Sequence, residues 1–178
     1  MKRPLVGLVG LLLVSSCSWF GGDDDVEEIL PTELTKINKE VKLLSLWSAK
    51  LGKGADDKAV KLVPAVAGSR VFAASADGKV VALQSGDGRK IWEQKVRSYY
   101  SEEEVRHAFP DDVDVITGGV GVGGDIVVVG TAAGELVALN QSDGSLAWRT
   151  RTSSEVLAPP QIDDELVVAH SIDGKVAG

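Results

Sequence analysis

The stretch VFAASADGKVVALQSGDGRKIW, Val71 to Trp92, lies over VVVGTAAGELVALNQSDGSLAW, Val127 to Trp148, without a gap at an offset of 56 residues. Gly78 falls on Gly134, Val81-Ala82-Leu83 on Val137-Ala138-Leu139, Asp87-Gly88 on Asp143-Gly144, and Trp92 on Trp148. A third copy begins at LVVAHSIDGKVA, Leu166 to Ala177, where Gly174 takes the column of Gly134 at an offset of 40. The natural unit is therefore near 40 residues, and the excess of 16 lies between Trp92 and Val127, where Arg97 to Asp114 has no counterpart after Trp148. A fixed period of this length marks a stacked repeat architecture.

Each unit reads as an antiparallel meander. A run of strand formers reaches a glycine turn at Gly78, Gly134 or Gly174; an alternating strand then reaches Asp-Gly at Gly88 or Gly144, and a final strand carries the tryptophan. Glycine and Asp-Gly supply the positive φ angles that tight two-strand connections need. One more strand is expected before each meander, at Leu62 to Val66, Gly118 to Val122 and Leu157 to Ile162. Four strands in about 40 residues is the arithmetic of a propeller blade. The expected fold class is all-β: a β-propeller of four-stranded antiparallel blades, with blades at 61–96 and 117–151, an insertion at 97–114 between them, and an incomplete blade at 156–178. About two and a half blades are thus present. Twenty glycines against three phenylalanines and two tyrosines suit short strands and turns better than long helices.

A blade left wet on either face would expose Val, Ile and Leu, so each sheet needs a neighbour. Trp92 and Trp148 lie on outermost strands, where an indole can cover the adjacent blade and find a backbone acceptor for its N–H. An aromatic recurring in every unit answers to architecture and not to one unique ligand. Trp47, in LLSLWSAKLG, matches the same column without three strands of its own before it. A strand at about 45–51 is expected to belong to a blade whose other strands lie beyond residue 178, as part of a longer protein.

The first residues read as an address. Lys2 and Arg3 form a positive n-region, and Leu5 to Val14 is an apolar run of ten residues, half the length of about 20 that a spanning helix needs. Residues 1–16 are therefore expected to be a signal peptide. Val14-Ser15-Ser16-Cys17 resembles a bacterial lipobox, which makes Cys17, the sole cysteine, the expected lipidation site and first residue of the mature chain. Several acyl chains at about 0.8 kcal/mol per buried CH₂ give stable anchoring. In lipoproteins an Asp after the lipidated cysteine signals retention at the inner membrane; here the residue is Ser18, which implies the inner leaflet of the outer membrane, facing the periplasm. Residues 17–44, with Gly21-Gly22, the acidic run Asp23 to Asp25 and Pro31, read as a tether ahead of the partial propeller at 45–178.

Composition narrows the partners. The net charge of −7 becomes −9 once Lys2 and Arg3 are cleaved away, which argues against nucleic acid as a partner. Three adjacent aspartates cannot by themselves direct the oxygen ligands of a calcium cage. His107 and His170 belong to no metal-spacing motif, so no metal site is expected.

The pattern of strand, glycine turn, Ala-Leu, Asp-Gly and Trp resembles the repeat shared by quinoprotein dehydrogenases and by the BamB family, the lipoproteins of the outer-membrane β-barrel assembly (Bam) machinery. The lipobox favours the second, and LPTELTKINKEVKLLSLWSAKLG, TSSEVLAPPQI and TGGVGVGGDIVVVGTAAGELVALN are similar to that family's sequences. The resemblance implies an eight-bladed, non-enzymatic propeller without a cofactor, docked on a POTRA domain of BamA with other Bam subunits, that aids assembly and insertion of outer-membrane β-barrel proteins. The family's Leu-x-Leu-Arg contact stretch has no match here, so no BamA-contact residue carries over. Two alternatives stay open: a periplasmic dehydrogenase with a PQQ-like quinone cofactor, which usually needs a vicinal cysteine pair, and a generic lipidated binding or sensor propeller. Asp77, Asp87, Asp143 and Asp173 have a sufficient explanation as turn residues. The insertion, with Tyr99, Tyr100, the acidic run Glu102 to Glu104 and Phe109, is the most individual segment and a candidate contact loop; a solvated loop or short helix is the competing reading.

Overall fold

A computed structural model describes residues 31–38, 40–107, 114–163 and 165–178. Cys17, the signal segment, the acidic run at 23–25 and Phe109 lie outside the described residues. The chain forms two units, Met1–Lys42 and Leu43–Gly178. Among its described residues the first has no helix or strand.

The second unit is built of stacked meanders. Strands β1 (Ala65–Ala67), β2 (Arg70–Ala74), β3 (Lys79–Gln84) and β4 (Lys90–Lys95) form one antiparallel sheet in chain order. A 3-10 turn at Val96–Tyr99 and the six-residue helix α1 (Glu102–His107) follow. Strands β5 (Ile116–Gly123), β6 (Ile126–Thr131), β7 (Glu135–Asn140) and β8 (Leu146–Arg151) make the second sheet, again in order. The third sheet holds β9 (Gln161–Ile162), β10 (Val167–His170) and β11 (Val176–Ala177). Even the irregularities repeat: the β3–β4 ladder slips between Ala82 and Leu83, and β7–β8 slips between Ala138 and Leu139, 56 residues on. Each slip leaves one extra residue, Ile91 or Ala147, next to the tryptophan, as a β-bulge does.

Alternation along the strands sorts the core into layers. Phe72, Val80, Ala82 and Trp92 of the first blade meet Val127, Val129, Val137 and Leu139 of the second. On the other face of the second blade, Val128, Leu136 and Ala138 pack with Val156 and Ala169. Blade two is thus buried on both faces, which is why β6 and β7 read as the near-continuous runs IVVV and LVAL. Strand β5 is hemmed in at its glycine positions. A Cβ at Gly118 would lie 2.5 Å from the Val156 carbonyl oxygen, one at Gly123 would lie 2.6 Å from Ile162, and one at Gly121 would collide with the Pro160 carbonyl. Only a glycine-rich strand threads between its neighbours there.

Residues 45–51 have no ladder partner among the described residues. Two strand expectations need correction. The strand expected at 62–66 begins at Ala65, since the backbone of Val63 is used elsewhere: its N–H donates to Gly119 O (3.1 Å) and its carbonyl accepts from Val120 N–H (3.1 Å) of the next blade. The strand expected at 157–162 shrinks to Gln161–Ile162, as Pro159 and Pro160 have no N–H to offer a ladder.

Candidate functional site

The described residues concentrate their distinctive chemistry at the junctions between blades. Trp92 is 8% exposed and its Nε1–H donates to the Gln141 carbonyl (2.9 Å). That carbonyl also accepts from Arg70 Nη1 (2.8 Å), and the Gln141 side chain donates to Gly124 O (2.9 Å), so one residue joins both sheets and ties the β7–β8 turn to the β5–β6 turn of its own blade. Trp47 repeats the arrangement one blade earlier: its Nε1–H donates to Ser85 O (2.8 Å), and Ser85 is the counterpart of Gln141. The indole of Trp47 lies where a Cβ on Gly88 would come within 2.6 Å, and that of Trp92 where a Cβ on Gly144 would come within 2.7 Å. Those glycines, at φ +72° and +75°, serve two needs at once, the hairpin conformation and a flat seat for the ring. Gly78, Gly134 and Gly174 also have positive φ in the other turns. Trp148 is half-buried and packs against the cluster of the third sheet. Val71, Ala73, Val81 and Leu83, the far face of blade one, form an apolar groove with Trp47, Leu51 and Pro64.

The insertion does not present its tyrosines as an open contact loop. Tyr99 and Tyr100 are half-buried against the main core, and each hydroxyl reaches the second blade: Tyr99 donates to Gly144 O (2.5 Å), Tyr100 to Glu135 Oε2 (2.6 Å). Burial first, and then the Glu135 carboxylate, raise the Tyr100 phenol far above its ordinary pKa. The Arg149 guanidinium sits 4.3 Å over the Tyr100 ring and pairs with Glu104 of α1, while Arg151 pairs with Glu135 at 3.1 Å. The lack of a counterpart in the other repeat made the insertion a candidate contact loop; the aromatic pair within five residues of the end of β4 was the signal for an inward turn. Helix α1 starts with a capping box: Ser101 Oγ accepts from Glu104 N–H (3.2 Å), and the Glu104 carboxylate accepts from Ser101 N–H (2.8 Å).

His107 lies exposed on α1 with Nδ1 2.8 Å from Glu103 O, and His170 lies exposed on β10. Among the described residues no group of three or more His, Cys, Asp and Glu could hold a metal ion, and no helix is long and apolar enough to cross a membrane.

Antiparallel four-stranded meanders, stacked face to face and joined by an indole seated on the next sheet's hairpin, define a β-propeller. The family model described as "Outer membrane protein assembly factor BamB" matches residues 43–108 and 101–178. The chain is 39% identical over 165 residues to the protein of that name from Xanthomonas campestris pv. campestris, covering 89% of this chain and 39% of the relative. With its counterpart from Escherichia coli K12 it shares 34% identity over 161 residues, covering 90% and 39%. The crystal structure of BamB from Moraxella catarrhalis superposes with a TM-score of 0.50 at 28% identity, covering 67% of this chain and 31% of that one. A computationally designed protein, Ika4, reaches 0.51 at 22% identity, covering 69% and 68%, a likeness of fold alone. The chain belongs to the BamB family of outer membrane protein assembly factors. It spans about two-fifths of the length of the curated relatives it matches.

Proposed function

We propose that this chain is the leading portion of a lipid-anchored propeller that works without chemistry of its own, as a scaffold in the assembly of outer-membrane β-barrel proteins. The observation that carries the proposal is the match to the assembly-factor family across 43–178, the same residues that build the repeated blade junctions. Cys17 bears the lipid, Ser18 directs the protein to the outer membrane, and the tether of 17–44 leaves the propeller on the periplasmic side. The whole propeller has eight blades and docks on a POTRA domain of BamA beside other Bam subunits, where it helps to present incoming barrel proteins. A stack of interlocked sheets suits that task, because loops held on rigid elements reach a partner with little ordering cost.

Affinity capture from solubilised envelopes of cells expressing the full-length protein tests the reading. Recovery of BamA is expected, with Cys17→Ala abolishing palmitate labelling and Ser18→Asp moving the protein to the inner-membrane fraction. Failure of the intact, outer-membrane-located protein to recover BamA overturns the scaffold role; unchanged labelling of Cys17→Ala overturns the anchor.

A further inference from the structure

Three junctions can be compared residue by residue. In each, a carbonyl from the connecting segment accepts the N–H of the second residue in the following β2–β3-type turn: Gly54 O from Ala76 (2.7 Å), Val115 O from Ala132 (2.9 Å) and Glu155 O from Ile172 (2.9 Å). Gly54 and Glu155 each follow a tryptophan, Trp47 or Trp148, by seven residues, whereas Val115 follows Trp92 by 23. The insertion therefore lies wholly inside the connection between blades one and two.

That same junction departs from its neighbours in the turn it grips. The first and third sheets carry Ser75-Ala76-Asp77-Gly78-Lys79 and Ser171-Ile172-Asp173-Gly174-Lys175, with both serines buried. In each the serine hydroxyl bonds the aspartate. The aspartate then holds the arriving segment: Asp77 accepts from the Lys53 backbone, and Asp173 accepts from the Ser153 hydroxyl (3.1 Å). Blade two reads Thr131-Ala132-Ala133-Gly134-Glu135. Ala133 offers no carboxylate, the Thr131 hydroxyl turns to accept from Glu135 N–H (3.1 Å), and the lysine column is occupied by an acid. At this junction the connection reaches β7 and β8 of the next blade through side chains of the inserted segment instead, Tyr99 to Gly144 O, Tyr100 to Glu135, and Glu104 to Arg149. Helix α1 is too short at six residues to persist unaided, so its order depends on these anchors.

We propose that residues 96–107 form a strap that replaces, at the junction of blades one and two, the serine–aspartate latch used by the junctions on either side. Loss of Asp at position 133 and gain of the inserted segment are two halves of one exchange, and Glu135 supplies the acceptor that the turn itself lacks.

Hydrogen–deuterium exchange on the full-length protein tests it, with the amides of Ala132 and Ile172 as reporters of the two junctions. The triple variant Tyr99→Phe/Tyr100→Phe/Glu104→Gln is expected to speed exchange at Ala132 about tenfold and leave Ile172 unchanged, since opening of a local contact set is read by its own amides. Asp173→Ala is expected to show the opposite pattern. Adding Ala133→Asp to the triple variant is expected to slow Ala132 again. No change at Ala132 in the triple variant, or equal acceleration at both reporters, overturns the strap; no change at Ile172 in Asp173→Ala overturns the latch; fast exchange persisting after Ala133→Asp overturns their equivalence.

Discussion

Removing the indole of Trp92 should separate the first two blades more than any other single truncation on that face. The ring is 8% exposed, lies 6.0 Å from the Phe72 centroid at a tilt of 45°, and rests on Gly144, which has no side chain to fill the space left behind. Trp92→Ala therefore opens a cavity with a rigid floor and should cost about 3–5 kcal/mol, the range for large aromatic truncations in a core. Trp92→Phe isolates the N–H. The Gln141 carbonyl keeps its bond from Arg70 after that change, so the loss is one hydrogen bond of about 0.5–1.5 kcal/mol and not an orphaned buried acceptor. With the smaller ring included, the phenylalanine variant should lose about 1–2 kcal/mol. Urea unfolding of the full-length protein, followed by far-ultraviolet circular dichroism, reads both. A loss under about 1 kcal/mol for Trp92→Ala, or equal losses for the two variants, would refute the assignment of Trp92 as the packing element of this junction.

Gly130→Ala places a Cβ 2.6 Å from the Val156 side chain, and overpacking there should cost about 1–3 kcal/mol, read as a lower urea midpoint. Tyr100 gives a pH signature. Its folded pKa is raised above the ordinary phenol value of about 10, so the stability it contributes is present below pH 10 and lost as pH rises toward the folded value. The wild-type protein should therefore lose more stability than Tyr100→Phe above pH 10 in a thermal-shift series, and identical alkaline slopes would count against the buried Tyr100–Glu135 bond.

Legibility differed from element to element for physical reasons. Val71–Trp92 and Val127–Trp148 could be read as blades because strand alternation and hairpin glycines are local demands, repeated at a fixed distance. The bulges at Ile91 and Ala147 left no such mark. Strand ends also escaped the pattern: Val63 has the composition of a strand residue, yet its backbone serves the next blade. Tyr99 and Tyr100 were visible as the individual feature of the insertion, but whether an aromatic faces water or a neighbour depends on a surface that is remote in sequence.

From the chain alone followed the period, the class of fold and the tryptophan column, since each rests on near-neighbour chemistry or on spacing. The tertiary structure decided what each tryptophan touches, that the second blade is dry on both faces, and that the insertion folds back onto β8 to hold it. Those outcomes depend on which groups meet from Tyr100 to Glu135 and Glu104 to Arg149, 35 and 45 residues apart. Spacing within one segment carries no record of such a meeting, because the free energy resides in the pair and appears only when the two sheets are brought together.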